Sequence, residues 1–353
     1  MSQQKPSLRW GIIGTGLISS WFVGDLSLKR DNAQATHHIQ AIGSSSVEKG
    51  TNFVETNLSS QSPAPTVYGN YEQTYKDPNV DIIYIGTPHA FHKQNCLDAI
   101  AQGKHVLCEK AFTLNARDAR EVFEAAKQKG VFVMEAMWTR FFPLVKTLQK
   151  LVHEEKVIGD VVRVFCDFAM NMHLESLGPE SRLKNPALGA GSLLDIGIYS
   201  LTWGLVNLDS GVGEKAQTPK IAAAQTLVDG VDYASSIILL YPDGKQGILT
   251  SNVSVKTPTG FCRIEGTGGH IIVEGPAGSV PVSFTVYKNE DTEGKKYEFE
   301  RPGKGFYWEA DSVAVDIAAG RTESETMPWA ETVRVLEILD EVRRQGGAKF
   351  PQD

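Results

Sequence analysis

The sequence has few cysteines and no excess of positive charge, and each shortage excludes a class of protein. The four cysteines are scattered and form no C-x-x-C pair; they are Cys96, Cys108, Cys166 and Cys262. That pattern favours reduced thiols in a cytoplasmic protein over disulfides or a zinc site. The 35 lysines and arginines face 42 acidic residues, a formal net charge of −7. This balance argues against nucleic acid or an anionic membrane as the main partner.

Long apolar runs and clusters of metal ligands are also missing. No stretch approaches the roughly 18 apolar residues that a membrane-spanning helix needs, so we expect no membrane partner. The first residues, MSQQKPSLRW, lack the pattern of a secretion signal, which agrees with a cytoplasmic location. No group of histidines, cysteines and acids has metal-site spacing, and no metal is expected. At roughly 150 residues per domain, the length suggests about two domains.

The first 140 residues alternate short apolar runs with stretches of helical period. The runs RWGII, HHIQAIG, DIIYIG, HVLCE and VFVMEA are apolar throughout, which is typical of strands buried in a parallel sheet. The alternation predicts a doubly wound α/β domain of the Rossmann type over residues 1–140. The Ser/Pro-rich stretch 58–70 is predicted to be a surface loop of that domain.

Beyond residue 140 the pattern changes to β-runs joined by turns. A helix over 143–155 and a strand over 161–170 precede the apolar segment GSLLDIGIYS at 191–200. The turns YPDGKQ and GTGGH predict hairpins between residues 220 and 299. Two helices, over 307–319 and 330–344, end the pattern. A meander with helices on one side predicts an α+β second domain over residues 141–353.

The stretch GIIGTGLIS carries a glycine turn between the first strand and a helix. Gly14 permits the tight turn, and Gly16 lets the backbone approach a pyrophosphate at the helix N-terminus. A glycine turn alone often only reverses the chain, but the strand–turn–helix context favours dinucleotide binding. The predicted contacts are Gly14, Thr15, Gly16, Leu17 and Ile18.

The residues at the end of the second strand indicate which dinucleotide the domain binds. NAD enzymes usually place an acidic residue there, which accepts a hydrogen bond from the ribose 2′-hydroxyl. This sequence has AIGSSSVEKG, with Ser44 and Ser45 in the place of the acid and Lys49 nearby. Hydroxyls and a cation suit a 2′-phosphate, so NADP is favoured over NAD. The alternative is that the serines only cap the next helix.

Two more strands end in polar groups, in TPHAFH (87–92) and HVLCEKAF (105–112). The carboxyl ends of such strands face the ligand crevice. Lys110 could serve in proton transfer there, or could form an ordinary surface salt bridge. For His89 and His92, contacts with ribose or nicotinamide are favoured over metal binding. The coenzyme contacts predicted at these strand ends are Thr87, Pro88, His89, His92, Glu109 and Lys110.

The glycine turn, TPHAFH, GKHVLCEKA, MEAMWTRFFP and GSLLDIGIYS follow one another along the chain. In these motifs, over about residues 8–344, the sequence resembles the Gfo/Idh/MocA oxidoreductases. It is most similar to the branch of dimeric dihydrodiol dehydrogenases and NADP-dependent D-xylose dehydrogenases. The resemblance implies a Rossmann domain followed by an open, mostly antiparallel sheet with helices on one face. It also places Trp138 and Arg140 near the nicotinamide.

The resemblance further implies catalytic roles for Lys110, Asp195 and Tyr199, although Ala111 stands where the family usually has proline. Residues four apart on a helix share a face, as Asp195 and Tyr199 would. Tyr199 would take the proton of a substrate hydroxyl, assisted by cationic Lys110, with Asp195 orienting the lysine. The reverse assignment, with Lys110 as the base, stays open. So do structural roles, a capping box of Ser192 with Asp195 and a core aromatic at Tyr199.

The expected reaction is hydride transfer between the nicotinamide and a carbinol carbon, with C1 of a D-xylose-like pyranose favoured. Alternatives are a trans-dihydrodiol dehydrogenase, an aldose–aldose oxidoreductase that retains its NADP, or a non-catalytic regulator that senses dinucleotide. The uncovered sheet face predicts a homodimer. The residues expected to select the substrate are Phe168, three residues of the 180–191 loop (Arg182, Lys184 and Asn185) and Trp308 of the stretch 303–309. For the loop residues and Trp308, the alternative is a surface loop or a dimer contact.

Overall fold

The computed structural model describes residues 5–290 and 292–353. The chain forms two compact units. The first unit comprises Met1–Thr113, Arg117–Phe141 and Arg301–Trp329, and the second comprises Leu114–Ala116, Phe142–Glu300 and Ala330–Asp353. Two segments lie on the other side of the expected boundary at residue 140, because 114–116 belongs to the second unit and 301–329 to the first.

The first unit is built on a parallel sheet. Its strands are β1 (Ser7–Ile13), β2 (Thr36–Gly43), β3 (Thr66–Tyr68), β4 (Ile82–Ile85), β5 (His105–Glu109) and β6 (Val133–Ala136). The helices between them are α1 (Leu17–Leu26), α2 (Val47–Asn57), α3 (Tyr71–Lys76), α4 (His92–Ala101) and α5 (Ala116–Lys129). The six strands are ordered β3-β2-β1-β4-β5-β6, so the predicted doubly wound fold is confirmed.

The five apolar runs of the sequence form β1, β2, β4, β5 and β6, and most of their side chains are buried, as in strands covered on both faces. The prediction of a loop over 58–70 is wrong at β3, which pairs with β2. Three residues at the edge of a sheet are too few to show a pattern in the sequence.

The second unit is built on a mixed sheet. Its elements are α6 (Pro143–Gln149), β7 (Val161–Ala169), α7 (Ile198–Leu208), β8 (Lys220–Val228), β9 (Val231–Leu240), β10 (Gln246–Asn252), β11 (Gly260–Gly266), β12 (Gly269–Glu274), β13 (Ser283–Lys288) and β14 (Lys295–Glu298). The helix α8 (Phe306–Ala318) returns to the first unit, and α9 (Trp329–Gly346) ends the chain's regular structure. The eight strands are ordered β14-β13-β12-β11-β7-β10-β9-β8. Only the β7–β10 pair is parallel among these ladders, and both predicted hairpins form.

The helix α7 packs against β7 and β10 at close range. A Cβ atom on Gly204 would lie 2.7 Å from Cδ1 of Leu249, and one on Gly197 would lie 2.9 Å from Oγ of Ser251. Glycine at these two positions therefore lets the helix backbone approach the sheet directly. The segment that carries Asp195 and Tyr199 is fixed on this side by close contact of its backbone with the side chains of Leu249 and Ser251.

Asp25 of α1 holds the returning segment 301–329 within the first unit. Its carboxylate accepts hydrogen bonds from the amides of Lys304, Gly305 and Phe306 at 2.6–3.0 Å. The ring of Phe306 stacks on Trp138 at 4.2 Å between centroids. The stretch 303–309, expected to select the substrate as part of the second domain, lies in the first unit for this reason.

Candidate active site

The glycine turn has the backbone geometry that a pyrophosphate requires. Gly14 has φ +83°, and a Cβ atom there would lie 2.8 Å from the carbonyl oxygen of Gly86. Gly16 precedes α1 in an extended conformation, no side chain caps this helix, and its first turn has no acidic residue. The first amides of a helix need acceptors from outside it, and a phosphate group provides them. The turn therefore fits the diphosphate of a dinucleotide.

The serines after β2 divide into structural and exposed groups. Ser44 is buried, with its Oγ 3.3 Å from Oγ1 of Thr15. Ser46 caps α2 by accepting from the amide of Lys49, which confirms the capping role for this serine. Exposed Ser45 instead accepts from Nζ of Lys49 at 3.2 Å. This hydroxyl and ammonium, with no acid in the run Ser44–Ser46, fit a 2′-phosphate.

The two histidines of TPHAFH hold the backbone around Lys110. Fully buried His92 has Nδ1 3.0 Å from the carbonyl oxygen of Ala111 and Nε2 2.7 Å from that of Thr87. Burial lowers the pKa of His92. Nε2 of His89 lies 3.2 Å from the carbonyl oxygen of Lys110, and the peptide bond between Lys110 and Ala111 is cis. His92 thus joins the loops after β4 and β5, and coenzyme contacts of either histidine stay a prediction.

A buried pair of acids lies at the end of β5, and the sequence analysis missed half of it. Glu109 accepts a hydrogen bond from the hydroxyl of Tyr84 at 2.6 Å. Glu309 of α8 is also fully buried, and burial together with the charge of Glu109 raises its pKa well above the usual value. Two close buried carboxyls do not both ionise readily, so Glu309 is the one that retains its proton. The available signal was a glutamate placed between the aromatic run Phe306–Trp308 and Ala310.

Lys110 and the MEAMWTRFFP motif lie in the same unit. Half-buried Lys110 follows Glu109 directly, and its amide donates to Oε2 of that residue at 3.3 Å. Trp138 and Arg140 are buried on the 3₁₀ turn Trp138–Phe141, which comes after β6. Arg140 donates through Nη1 to the carbonyl oxygen of Thr326 at 3.2 Å. Contacts of these side chains with the nicotinamide stay a prediction.

In the second unit, Asp195 and Tyr199 lie on a helix that begins with a π turn. The turn covers Leu193–Gly197 and continues into α7, where single π turns often mark functional sites. The predicted capping box is wrong, because the side chain of Ser192 makes no capping bond. Asp195 lies 3.6 Å from Nη1 of Arg182, measured at Oδ1. The acid thus has a cationic partner from the 180–191 loop.

The other residues expected to select the substrate mainly build structure. Phe168 is buried, and its ring meets Tyr199 edge-on at 5.6 Å, so it packs against the phenol. Nζ of Lys184 donates to the carbonyl oxygen of Leu177, and Asn185 accepts from the amide of Ala187. The structure therefore leaves Arg182 as the loop residue that reaches a predicted catalytic group.

The described residues offer neither a metal site nor a membrane-spanning helix. No cluster of three or more histidine, cysteine or acidic side chains is placed to hold a metal ion in residues 5–290 and 292–353. Over the same ranges, no helix has the length and apolar character needed to cross a membrane.

The parallel sheet with its pyrophosphate turn and the mixed sheet define a dinucleotide-dependent oxidoreductase with two units. Comparison with protein families gives the same class. The model described as "Oxidoreductase family, NAD-binding Rossmann fold" matches residues 8–137, and the GFO/IDH/MocA C-terminal domain matches residues 145–272. The chain belongs to the GFO/IDH/MocA oxidoreductase family, which confirms the resemblance found in its motifs.

Several characterised proteins are similar over the whole chain. D-xylose 1-dehydrogenase (NADP(+)) from Hypocrea jecorina is 35% identical over 380 residues, covering 100% of this chain and 95% of that protein. Trans-1,2-dihydrobenzene-1,2-diol dehydrogenase from Sus scrofa is also 35% identical, covering 98% and 99%. The crystal structure of aldose–aldose oxidoreductase from Caulobacter crescentus, complexed with glycerol, shares the fold with a TM-score of 0.80 at 23% identity, covering 98% of each chain. The predicted branch of the family is confirmed.

Replacing Gly14 by alanine tests the pyrophosphate turn. We expect Gly14→Ala to weaken binding of NADP by at least about tenfold, because a Cβ atom meets backbone at a positive φ that alanine rarely adopts. Quenching of the protein's tryptophan fluorescence during titration with NADP measures the affinity. The control is Gly24→Ala in α1, where no atom lies within 4 Å of the new Cβ. Equal affinities in both variants would contradict the assignment.

Proposed function

We propose that the protein is an NADP-dependent oxidoreductase that transfers hydride between the coenzyme and a carbinol carbon of a sugar, with C1 of a D-xylose-like aldose favoured. The observation that carries the proposal is full-length similarity to an NADP-dependent D-xylose 1-dehydrogenase in a chain that retains Lys110, Asp195 and Tyr199. The Ser45–Lys49 pair supports NADP as the coenzyme.

The protein's part of the reaction is to position the substrate and to move a proton. When bound, the nicotinamide supplies the carbon that exchanges hydride. We assign removal of the substrate hydroxyl proton to Tyr199, assisted by Lys110 and Asp195. A phenol serves as a base near neutral pH only when a cation favours its ionised form, and Lys110 supplies that charge. Phe168 supports the ring of Tyr199, and Arg182 faces Asp195.

A panel of substrates tests the proposed function. We expect NADPH formation with aldopyranoses, at a kcat/KM at least about tenfold higher with NADP than with NAD, because a 2′-phosphate contact to a cation is a strong charge-assisted bond. Trans-dihydrodiols are the second substrate class to assay, since the Sus scrofa relative is equally similar. A higher kcat/KM for the diols would reverse the substrate preference. No turnover with either class would refute the enzyme and favour a non-catalytic dinucleotide sensor.

Substitutions at the two proton-handling residues test the mechanism. We expect Tyr199→Phe and Lys110→Met each to lower kcat by about 10²–10⁴, the usual cost of losing a general acid–base group, with NADP still bound. Turnover and coenzyme titration are measured on the same preparations. Matched controls are Tyr287→Phe in β13 and Lys127→Met at an exposed position of α5, which should keep wild-type turnover. Near-normal kcat in both active-site variants would contradict the assignment.

We propose that the protein forms a homodimer through the open face of the second sheet. On β9, Ile237 and Leu239 are buried, whereas Ile238 and Leu240 are 47% and 39% exposed. Exposed large aliphatic side chains on a sheet face are typical of an interface. We expect a dimer by light scattering, converted to a monomer by Ile238→Arg, with Leu28→Arg in the first unit as the control. A wild-type monomer at micromolar concentration would contradict the proposal.

The cysteines support the proposal of a cytoplasmic location. All four are free and buried, and Cys166 and Cys262 occupy facing positions on β7 and β11. Burial raises the pKa of the thiols of Cys108 and Cys166, which makes both poor nucleophiles. Neighbouring thiols that remain unoxidised suit a reducing compartment.

A further inference from the structure

Asp232 of β9 binds the start of the helix that carries Asp195 and Tyr199. Its Oδ2 accepts hydrogen bonds from Oγ of Ser192 at 2.8 Å, from the amide of Leu193 at 2.7 Å and from Oγ of Ser235 at 3.2 Å. The first amides of a helix lack partners within the helix. In this protein a carboxylate from a strand some 40 residues further along the chain supplies the acceptor.

Gly191 makes this arrangement possible. A Cβ atom at Gly191 would collide with Oδ1 of Asp232, and its φ of +138° also favours glycine. The hydroxyl of Ser192, which would ordinarily cap its own helix, bonds to Asp232 instead and lies 3.0 Å from Oγ of Ser251 in β10. The two residues before the π turn therefore accommodate the carboxylate, Gly191 by lacking a side chain and Ser192 by donating a hydrogen bond.

In the part of the chain that the structure describes, the hydrogen bonds to this carboxylate come from hydroxyl and amide groups, at the helix start (Ser192 and Leu193) and on its own strand (Ser235). Behind them, Ser251 of β10 bonds to Ser192, and Gln225 of β8 donates to Ser235. Among the described residues, no ion pair includes Asp232. Burial raises its pKa to about 6, partly offset by the hydrogen bonds from Ser192 and Leu193. At neutral pH the anchor is an ionised carboxylate, and its bonds are charge-assisted.

We propose that Asp232 is a positioning residue, whose charged carboxylate holds the start of this helix and thereby the placement of Asp195 and Tyr199 during turnover. The proposal rests on the proposed function, since it assigns the reaction to those two side chains. Asp195 lies on the π turn that begins at Leu193, the residue whose amide Asp232 binds. A looser anchor therefore moves both groups.

Protonation weakens the anchor without removing it. The three donors all use Oδ2, so a proton binds at Oδ1 and leaves a neutral, weaker acceptor. Turnover should then decline as the pH falls through about 6. The contribution of Asp232 to stability has the opposite sign, because a carboxyl with a raised pKa in the folded state favours folding below that pKa and loses this contribution as the pH rises through it. A decline in kcat that comes from Asp232 is thus separable from acid unfolding.

The substitution Asp232→Asn tests the proposal, because an asparagine oxygen at the Oδ2 position imitates the protonated acid at every pH. We expect wild-type kcat to show an acid midpoint near pH 6. Asp232→Asn should lack that midpoint and have kcat at pH 8 lowered about tenfold, the difference between charge-assisted and neutral hydrogen bonds. The affinity for NADP should be unchanged.

Two further variants separate positioning from general loss of structure. Asp209 follows the last residue of α7 and accepts from the amides of Gly211 and Gln217. Asp209→Asn should therefore lower stability and keep the acid midpoint. Ser192→Ala removes a donor that lowers the pKa of Asp232, so the midpoint should rise. If Asp232→Asn does not fold, the shift of the acid midpoint in Ser192→Ala still tests the proposal.

The amide signal of Leu193, in protein labelled with ¹⁵N-leucine, reports the anchor without turnover. We expect it to titrate near pH 6 in the wild type and not in Asp232→Asn. If this signal titrates but the protein turns over no substrate, the role of Asp232 as an anchor stands and the proposed function is refuted. An unchanged acid midpoint in Asp232→Asn, or no shift in Ser192→Ala, would overturn the proposal.

Discussion

The direct contact between helix and sheet in the second unit determines where the predicted catalytic groups lie. At Gly197 and Gly204 the helix backbone lies directly against the side chains of Ser251 and Leu249, and Gly191 admits the carboxylate of Asp232. In a close-packed interior such contacts leave the helix little room to shift. The apolar segment GSLLDIGIYS can therefore carry one acid and one phenol in fixed positions, and the ring of the phenol, Tyr199, also packs against Phe168 of β7.

Buried acids in the first unit also bind groups from distant parts of the chain. Asp25 binds three amides of the returning segment, and Asp311 of that segment pairs with Arg30 and His37. Glu309 has no such donors among the described residues, and it avoids the cost of burial by remaining protonated.

Local features were predictable from the sequence, and long-range polar contacts were not. The apolar strands, the glycine turn and the hairpins depend on neighbouring residues, so composition and spacing were enough to place them. The π turn keeps the apolar pattern of an ordinary helix and leaves no signal. Asp232 and Asp25 bond to groups 39 and 279 positions away, and nothing in their own neighbourhoods indicates a partner. Ser192 followed by Asp195 has the spacing of a capping box. The carboxylate that in fact accepts from Ser192 and from the amide of Leu193 is that of Asp232, which is remote in sequence.

The return of residues 301–329 to the first unit has a consequence for how the chain is made. Trp138 receives its stacking partner Phe306, and the edge strand β6 its bond to Thr322, from a segment translated long after both of them. A ribosome must therefore translate the segment 301–329 before the nucleotide-binding half is complete. Until then Asp25 and the ring of Trp138 await the contacts that this segment brings.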